Sequence, residues 1–326
     1  MKAVVCTRHG GLELLELQDL PSPEPGAGQV LIRVYAAGVN FPDTLIIKGT
    51  YQAKPDLPFT PGGEVAGIVL KVGVGVSHVK SGDRVLAAMI WGAFAEEALA
   101  EAWRVHPIPI EMDFPVAAGF TLTYGTSYHA LKDRAALRKG ETLLVLGASG
   151  GVGLAAIEIG KALGARVIAA ASSEEKLELC TLYGADAAIN YERGDLRSQI
   201  KKLTDGGGVN VVYDPVGGRY TDPALRSMAW RGRYLVVGFA SGEIPNIALN
   251  LPLLKGCAVL GVYWGAFCRA EPENNALNME ELFALFRQGK LKPHLSEVFP
   301  MDQTTEALNC LTGRVVKGKV IIEMRV

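Results

Sequence analysis

A glycine-rich turn between an apolar strand and a helix most restricts the fold of this chain. Leu143–Gly153 reads Leu-Leu-Val-Leu-Gly-Ala-Ser-Gly-Gly-Val-Gly, and small and apolar residues follow it to Leu163. Gly150 should allow a tight turn, Gly151 or its neighbour should allow close approach to a pyrophosphate, and Gly153 should allow close helix–strand packing. The helix N-terminus would offer free N–H groups to the phosphates. The pattern predicts a dinucleotide-binding turn; a tight turn with a purely structural role is the alternative.

Length and composition agree with an intracellular enzyme of two domains. The chain has 326 residues, 49% of them hydrophobic, which is enough for two sizeable cores. Its net charge of −1 favours neither nucleic acid nor an anionic membrane as a partner. The apolar run near the N-terminus is too short for a signal peptide or a membrane span, so we expect a cytoplasmic protein. Five scattered cysteines without a Cys-x-x-Cys pair favour neither disulfides nor a cysteine-built metal site.

The pattern of the chain changes near residue 120. Before it, short β-like runs such as Val30–Tyr35, Val65–Val72 and Arg84–Met89 alternate with glycine and proline, which predicts a mostly antiparallel or barrel-like domain. From about Thr121 strands alternate with helices, and six short apolar runs predict one doubly wound parallel sheet of the α/β Rossmann class. The six predicted parallel strands are Thr142–Leu146, Ala165–Ala170, Ala187–Ile189, Val209–Tyr213, Tyr234–Val237 and Ala258–Val262.

The last sixty residues return to a different pattern. We expect a helix from about Glu273 to Gln288 with Gly289 after it, another helix after Asp302, and a final strand over Lys319–Met324. This tail is expected to rejoin the first domain. The predicted organisation is therefore a β-rich domain over 1–120, a dinucleotide-binding domain over 121–264, and a return to the first domain over 265–326.

Four ordered motifs carry a family resemblance that covers essentially the whole chain. They are the segment 36–43 (Ala-Ala-Gly-Val-Asn-Phe-Pro-Asp), the segment 61–67 (Pro-Gly-Gly-Glu-Val-Ala-Gly), the segment 82–85 (Gly-Asp-Arg-Val) and the turn 147–153. Together they resemble the medium-chain dehydrogenase/reductase superfamily, and within it the zeta-crystallin-like quinone oxidoreductases. The resemblance implies a GroES-like catalytic domain, an inserted Rossmann domain and an active site in the cleft between them.

The chain departs from the zinc-bearing branch of that superfamily. Zinc alcohol dehydrogenases place a cysteine in the segment equivalent to 38–43 and a histidine at the position of Gly63, and neither ligand is present here. The cysteine-rich lobe that holds structural zinc is also missing after Arg84. Catalytic zinc needs about three protein ligands. We therefore expect no metal and a zinc-independent reductase.

Without a Lewis acid, simple alcohol oxidation loses several kcal/mol of transition-state stabilisation. Quinones and enones need the metal less, because a conjugated acceptor spreads the charge that arrives with a hydride.

The resemblance implies that Asn40 and Asp43 lie beside the nicotinamide and that Tyr51 faces the substrate. The alternatives are that Asn40 and Asp43 cap a turn around Pro42 and that Tyr51 is a half-buried packing residue. Two interpretations are open for Phe41, Trp91 and Trp264: they line an apolar pocket, or they pack in the core.

The end of the second Rossmann strand predicts NADPH as the cofactor. An NAD enzyme usually carries an acidic residue there, but this chain has Ala171, followed by Ser172, Ser173 and Lys176. A capping box formed by Ser172 and Glu175 is the competing structural reading. The resemblance adds Tyr191 and Arg314 as residues that grip a 2′-phosphate. The predicted cofactor-binding residues are Asn40, Gly150, Gly151, Val152, Gly153, Ser173, Lys176, Tyr191, Gly238, Phe239 and Arg314.

The sequence therefore predicts hydride transfer from NADPH to a quinone or another small conjugated carbonyl compound. Two alternatives stay open: reduction of a 2-enoyl thioester or alkenal, and a weakly catalytic NADPH-binding protein with a sensor or structural role. The apolar run Ala258–Trp264 would form the last strand of the sheet, and an open apolar edge invites pairing. We therefore expect a two-fold homodimer, unless the C-terminal segment of the same chain covers this strand.

Overall fold

Two compact units make up the part of the chain that the structure describes. This computed structural model describes residues 1–313 and 316–324. The first unit contains residues 1–122 and 272–283 and the described part of 293–326. The second contains residues 123–271 and 284–292.

A seven-stranded sheet and a two-stranded sheet form the β-structure of the first unit. The larger sheet has the order β14-β15-β3-β4-β5-β7, with β6 also paired to β3, and only its β14–β15 pair is parallel. The strands of this unit are β1 Lys2–Cys6, β2 Leu15–Asp19, β3 Gln29–Val39, β4 Glu64–Val72, β5 Arg84–Ala88, β6 Glu97–Glu101, β7 Val105–Pro107, β14 Leu295–Pro300 and β15 Lys319–Glu323. The helices that lie wholly in it are α1 Phe41–Ile47, α2 Phe114–Ala118 and α11 Thr304–Thr312.

The long strand β3 brings three distant segments to one end of the sheet. In the strand register Gly38 pairs with Glu64, the first residue of β4, and also with Ile321 of β15. Val39 pairs with Val320, one residue after the start of β15. The residues that directly follow β3 therefore lie beside the starts of β4 and β15.

Six parallel strands form the sheet of the second unit, in the order β10-β9-β8-β11-β12-β13. This is the doubly wound order predicted for a Rossmann domain, so the α/β fold class is confirmed. The strands are β8 Thr142–Leu146, β9 Arg166–Ala171, β10 Ala187–Asn190, β11 Val209–Asp214, β12 Met228–Val236 and β13 Ala258–Gly261. The helices of this unit are α4 Gly151–Ala162, α5 Glu174–Leu182, α6 Leu196–Leu203, α7 Thr221–Arg226, α8 Asn250–Lys255 and α9 Trp264–Ala270.

Two further helices, α3 Thr121–Tyr128 and α10 Pro272–Arg287, each contribute residues to both units. The predicted strands are confirmed within a few residues, except that β3 runs on to Val39 and β12 begins six residues before Tyr234. The sequence did not predict α9. It begins at Trp264, which was expected to lie in the edge strand and instead is buried on a helix.

Candidate functional site

The glycine-rich turn joins β8 to α4 in the second unit. Gly147, directly after β8, has φ +57, whereas Gly150 has an extended backbone with φ −76. The left-handed residue of the turn is therefore Gly147, and the role predicted for Gly150 as the tight-turn glycine is wrong. At Gly153 an added Cβ would lie 2.5 Å from the carbonyl oxygen of Gly147. Close backbone packing thus requires glycine at this position, as predicted.

The start of α4 suits an anionic ligand. Among the described residues no side chain caps this helix, whereas Ser173 caps α5 and Asp195 caps α6. An added Cβ on Gly150 would meet only the carbonyl oxygen of Gly147, at 3.5 Å, which is an ordinary contact. Protein packing therefore does not require glycine there, and a side-chain position at the start of α4 is left open. These features fit the pyrophosphate of a dinucleotide.

Three of the four residues predicted to bind the 2′-phosphate follow β9 and β10, which are neighbours in the sheet. The Lys176 ammonium donates to Ser172 Oγ at 3.2 Å. Ser173 Oγ accepts from the Lys176 backbone N–H at 3.4 Å, so Ser173 and not Ser172 is the helix cap. The capping box suggested for Ser172 is wrong. Tyr191 follows β10, where its N–H donates to Ala171 O at 3.1 Å and its ring contacts that of Tyr220, with centroids 4.3 Å apart.

Gly238 and Phe239 follow β12 at the same edge of the sheet. The N–H of Gly238 donates to Asp214 O, and an added Cβ on Gly238 would have Pro215 O at 3.4 Å as its nearest neighbour. The Phe239 ring packs closely against Gly217, where a Cβ would lie 2.9 Å from it. The predicted residues of this unit thus follow the carboxyl ends of four parallel strands, which is where α/β sheets bind ligands. Arg314 lies outside the described residues.

In the first unit Asn40 lies in a buried network of charged groups. The Lys319 ammonium contacts a carboxylate oxygen of Glu64 at 2.6 Å and donates to Asn40 Oδ1 at 2.5 Å and Val39 O at 2.9 Å. The Glu64 side chain is 0% exposed and that of Lys319 is 7% exposed. The amide nitrogen of Asn40 donates to Glu64 Oε1 at 3.0 Å and to Gly38 O at 3.2 Å.

Asp43 lies in the first turn of α1, and its Oδ2 accepts the backbone N–H of Asn40 at 2.7 Å. This contact is the turn-capping arrangement that the sequence left open. Burial raises the pKa of the Asp43 carboxyl to about 7, and the charge of Glu64 adds to the rise. The Asn40 N–H and the Lys319 ammonium oppose it. Asp43 is therefore a buried carboxyl group that gains or loses a proton near neutral pH.

Tyr51 lies beyond the other end of α1, where it is half-buried and packs against the core of the first unit. Trp264 packs against Gly125 in the second unit and is buried, as its core reading predicted, whereas Trp91 is exposed. Sequence reasoning did not single out Glu64 or Lys319 as site residues. The available signal was a charged residue directly beside an apolar run, at Glu64 before Val65 and at Lys319 before Val320.

No group of three or more histidine, cysteine, aspartate or glutamate residues within 1–313 and 316–324 lies close enough to hold a metal ion. At the position of the zinc-ligating histidine, an added Cβ on Gly63 would lie 3.5 Å from Asp43 Oδ1. None of the described helices combines the length and the apolar character that a membrane span requires.

Comparisons with known proteins match both units. Residues 26–110 match the family described as alcohol dehydrogenase GroES-like domain, and residues 151–281 match the family described as zinc-binding dehydrogenase. The quinone oxidoreductase-like protein 2 homolog of Nematostella vectensis is 40% identical over 328 residues, which cover 99% of this chain and 89% of that protein. The quinone oxidoreductase of Homo sapiens is 35% identical over 325 residues, which cover 99% of this chain and 97% of that protein.

The structure is also similar to that of the Escherichia coli quinone oxidoreductase complexed with NADPH, with a TM-score of 0.92 and 31% identity. The match covers 99% of this chain and 100% of that one. The match therefore extends over the β-rich unit, the parallel sheet and the tail. The chain belongs to the medium-chain dehydrogenase/reductase superfamily, in its quinone oxidoreductase group.

Proposed function

We propose that this protein reduces quinones or other small conjugated carbonyl compounds with NADPH. The observation that carries the proposal is the uncapped start of α4 beside Gly150, together with a basic and hydroxylic segment after β9 where NAD enzymes carry an acid. The relatives named above are a quinone oxidoreductase and a quinone oxidoreductase-like protein, and one neighbouring structure is a complex with NADPH.

The proposed cofactor-binding residues form groups according to the part of NADPH that each would contact. Gly150, Gly151, Val152 and Gly153 would bind the pyrophosphate through the backbone of the turn. Ser173, Lys176, Tyr191 and Arg314 would bind the 2′-phosphate, with Lys176 and Arg314 as its charged partners. Gly238, Phe239 and Asn40 complete the proposed set.

NADPH, when bound, supplies a hydride to a carbon of the acceptor. The task of the protein is then to orient the acceptor and to stabilise the negative charge that develops on its oxygen. We assign Asn40, Asp43 and Tyr51 to the substrate side of the site. The Tyr51 phenol is the proposed hydrogen-bond donor to that oxygen, and Asp43, which holds a proton near neutral pH, is a proposed proton source for this side.

Zinc independence is part of the proposal. The position of a zinc-ligating histidine is Gly63, and Asn40 stands in the segment that carries the zinc-ligating cysteine in the zinc branch. A neutral amide and a glycine cannot replace a thiolate and an imidazole as ligands for zinc. Prolonged treatment with a chelator should therefore leave turnover unchanged.

We further propose that the protein is a homodimer. The strand β13 is an edge of the parallel sheet among the described strands. Exposed apolar side chains lie on the segments that precede and follow it, among them Leu253 (78%), Leu254 (73%) and Tyr263 (58%), and Trp230 of the neighbouring β12 is 73% exposed. An open strand edge beside exposed apolar residues favours two-fold pairing with a second copy.

We assign residues 1–120 and 265–326 to the catalytic domain and 121–264 to the dinucleotide-binding domain. A cytoplasmic location is proposed as well. All five cysteines lie among the described residues and none of them forms a disulfide there, as expected in a reducing compartment.

A substrate panel tests the function. Quinones, enones, alkenals and 2-enoyl thioesters are each mixed with the protein and NADPH, and NADPH consumption is followed by absorbance. Faster turnover of quinones and enones supports the proposal. A preference for enoyl thioesters or alkenals identifies the alternative reductase, and tight NADPH binding without turnover identifies a sensor or structural protein.

A further inference from the structure

The buried network around Asn40 fixes which way its amide points. An ammonium group only donates hydrogen bonds, so the atom of Asn40 that contacts Lys319 Nζ at 2.5 Å must be the amide oxygen. A carboxylate and a backbone carbonyl only accept, so the atom that contacts Glu64 Oε1 and Gly38 O must be the amide nitrogen. The chemistry of the partners thus excludes the flipped orientation.

The hydrogen-bond capacity of the amide nitrogen is used up inside the protein. An asparagine amide carries two hydrogens, and Glu64 and Gly38 accept one each. The Lys319 ammonium donates to Val39 O and Asn40 Oδ1 and forms an ion pair with Glu64 Oε1 at 2.6 Å. The second carboxylate oxygen of Glu64 accepts the backbone N–H of Leu122 at 3.0 Å. Asn40 therefore has no hydrogen left for a ligand.

Two glycines leave the space that the ion pair occupies. An added Cβ on Gly38 would lie 2.5 Å from Glu64 Oε1, and one on Gly119 would lie 2.8 Å from Lys319 Cγ. A buried ion pair is weak evidence for stability, because a well-packed apolar pair of the same size is often equally stable. The glycines and the hydrogen bonds around the Asn40 amide instead favour a role in fixing one arrangement of side chains.

We propose that Lys319 and Glu64 are positioning residues that hold the Asn40 amide so that it gives no hydrogen bond to cofactor or substrate. Asn40 then shapes the site through its amide oxygen and its backbone, and donation to the acceptor oxygen falls to another group, such as the Tyr51 phenol. The inference rests on the proposed function for its link to turnover, but the amide orientation is independent of any reaction.

The first test uses NMR of the protein without ligand. With 15N-labelled asparagine, the Asn40 side-chain signal is identified by its loss in Asn40→Ser. Its two hydrogens should exchange slowly with water, and adding NADPH should leave their exchange unchanged. Fast exchange in the free protein, or new protection when NADPH binds, would overturn the inference whether or not the protein turns over quinones.

The second test replaces the pair with the neutral variant Lys319→Met/Glu64→Gln. A glutamine amide both donates and accepts, so it favours neither orientation of Asn40. We expect kcat to fall about tenfold or more while the Kd for NADPH changes less than about threefold. The single variant Lys319→Arg leaves Glu64 unchanged and keeps the positive charge and the donors. Its kcat should therefore stay close to that of the wild type.

The matched control is Arg233→Met/Glu141→Gln, which removes a partly buried ion pair of 2.7 Å in the second unit. Its kcat should stay near that of the wild type. An equal loss of kcat in both double variants, or none in either, would overturn the positioning role. If the first double variant does not fold, the NMR exchange and the Lys319→Arg kinetics decide. Absence of quinone turnover in the wild type would overturn the proposed function instead.

Discussion

Replacement of Asp43 by asparagine should change how stability depends on pH. The Asp43 carboxyl is 1% exposed and accepts one backbone N–H, that of Asn40, through Oδ2. Burial raises its pKa from 3.8 to about 7. The folded state therefore keeps the proton over a pH range in which the unfolded chain has already released it.

Because the pKa of Asp43 is higher in the folded state than in the unfolded state, the stability of the fold decreases as pH rises. As pH rises from 3.8 towards 7, only the unfolded chain gains free energy by ionising, so stability is lost over this window. Each pH unit contributes about 1.4 kcal/mol, which gives roughly 4 kcal/mol over the whole window. Between pH 5.5 and pH 8.5 the remaining loss is about 2 kcal/mol. In Asp43→Asn this loss is absent, because asparagine does not ionise and its amide oxygen can still accept the Asn40 N–H.

The assay is urea unfolding of wild type and variant at both pH values, followed by fluorescence and circular dichroism. Other groups with raised pKa values, such as Glu158, are present in both proteins and cancel in the difference. Asp205→Asn removes an exposed carboxylate and should keep the wild-type pH dependence. If Asp43→Asn also loses about 2 kcal/mol between the two pH values, Asp43 does not hold its proton in the folded state and our reading of the network is refuted.

Three further predictions concern cofactor choice, substrate contact and assembly. Lys176→Ala should weaken NADPH binding about tenfold and leave NADH binding almost unchanged, because one charge-assisted phosphate contact contributes roughly 1.5–3 kcal/mol. Calorimetry measures both affinities, and equal losses for the two cofactors would point to a structural role of Lys176. Tyr51→Phe should lower kcat/KM about tenfold, or roughly 1.4 kcal/mol, without changing the Kd for NADPH, whereas unchanged kinetics would leave Tyr51 as a pocket wall. Light scattering should give a dimer mass for the wild type and a monomer mass for Leu253→Glu/Leu254→Glu, and a monomeric wild type at micromolar concentration would exclude the dimer.

The parallel sheet was predictable because its strands are short apolar runs separated by glycine-rich turns. A strand that is buried on both faces has such a continuously apolar sequence. The same criterion failed at α9. Val262, Tyr263 and Trp264 continue the apolar run of β13, and periodicity over so few residues does not separate a strand from the start of a buried helix.

The glycine turn shows a second limit of sequence reasoning. Its four glycines are equivalent in composition, and only the backbone angles show that Gly147 makes the left-handed turn while Gly150 is extended. Which serine caps α5 was likewise decided by backbone geometry, since Ser172 and Ser173 are both suitable residue types.

The network around Asn40 was beyond sequence reasoning for a different reason. Lys319 lies 279 residues after Asn40, and the two meet only because β15 pairs with β3. The motifs directed attention to Asn40 and Asp43 because these two residues share one segment. It did not find the partners that fix them, because those partners come from the starts of two other strands.

The most direct test of the proposed function is quinone reduction by the purified protein with NADPH, measured before and after exhaustive chelation. We predict that NADPH is consumed in equal amount to the hydroquinone formed, that NADH is used less efficiently, and that the chelator changes neither rate. Binding of NADPH without turnover of any quinone or enone, or activity that is lost with a stoichiometric zinc ion, would contradict the account.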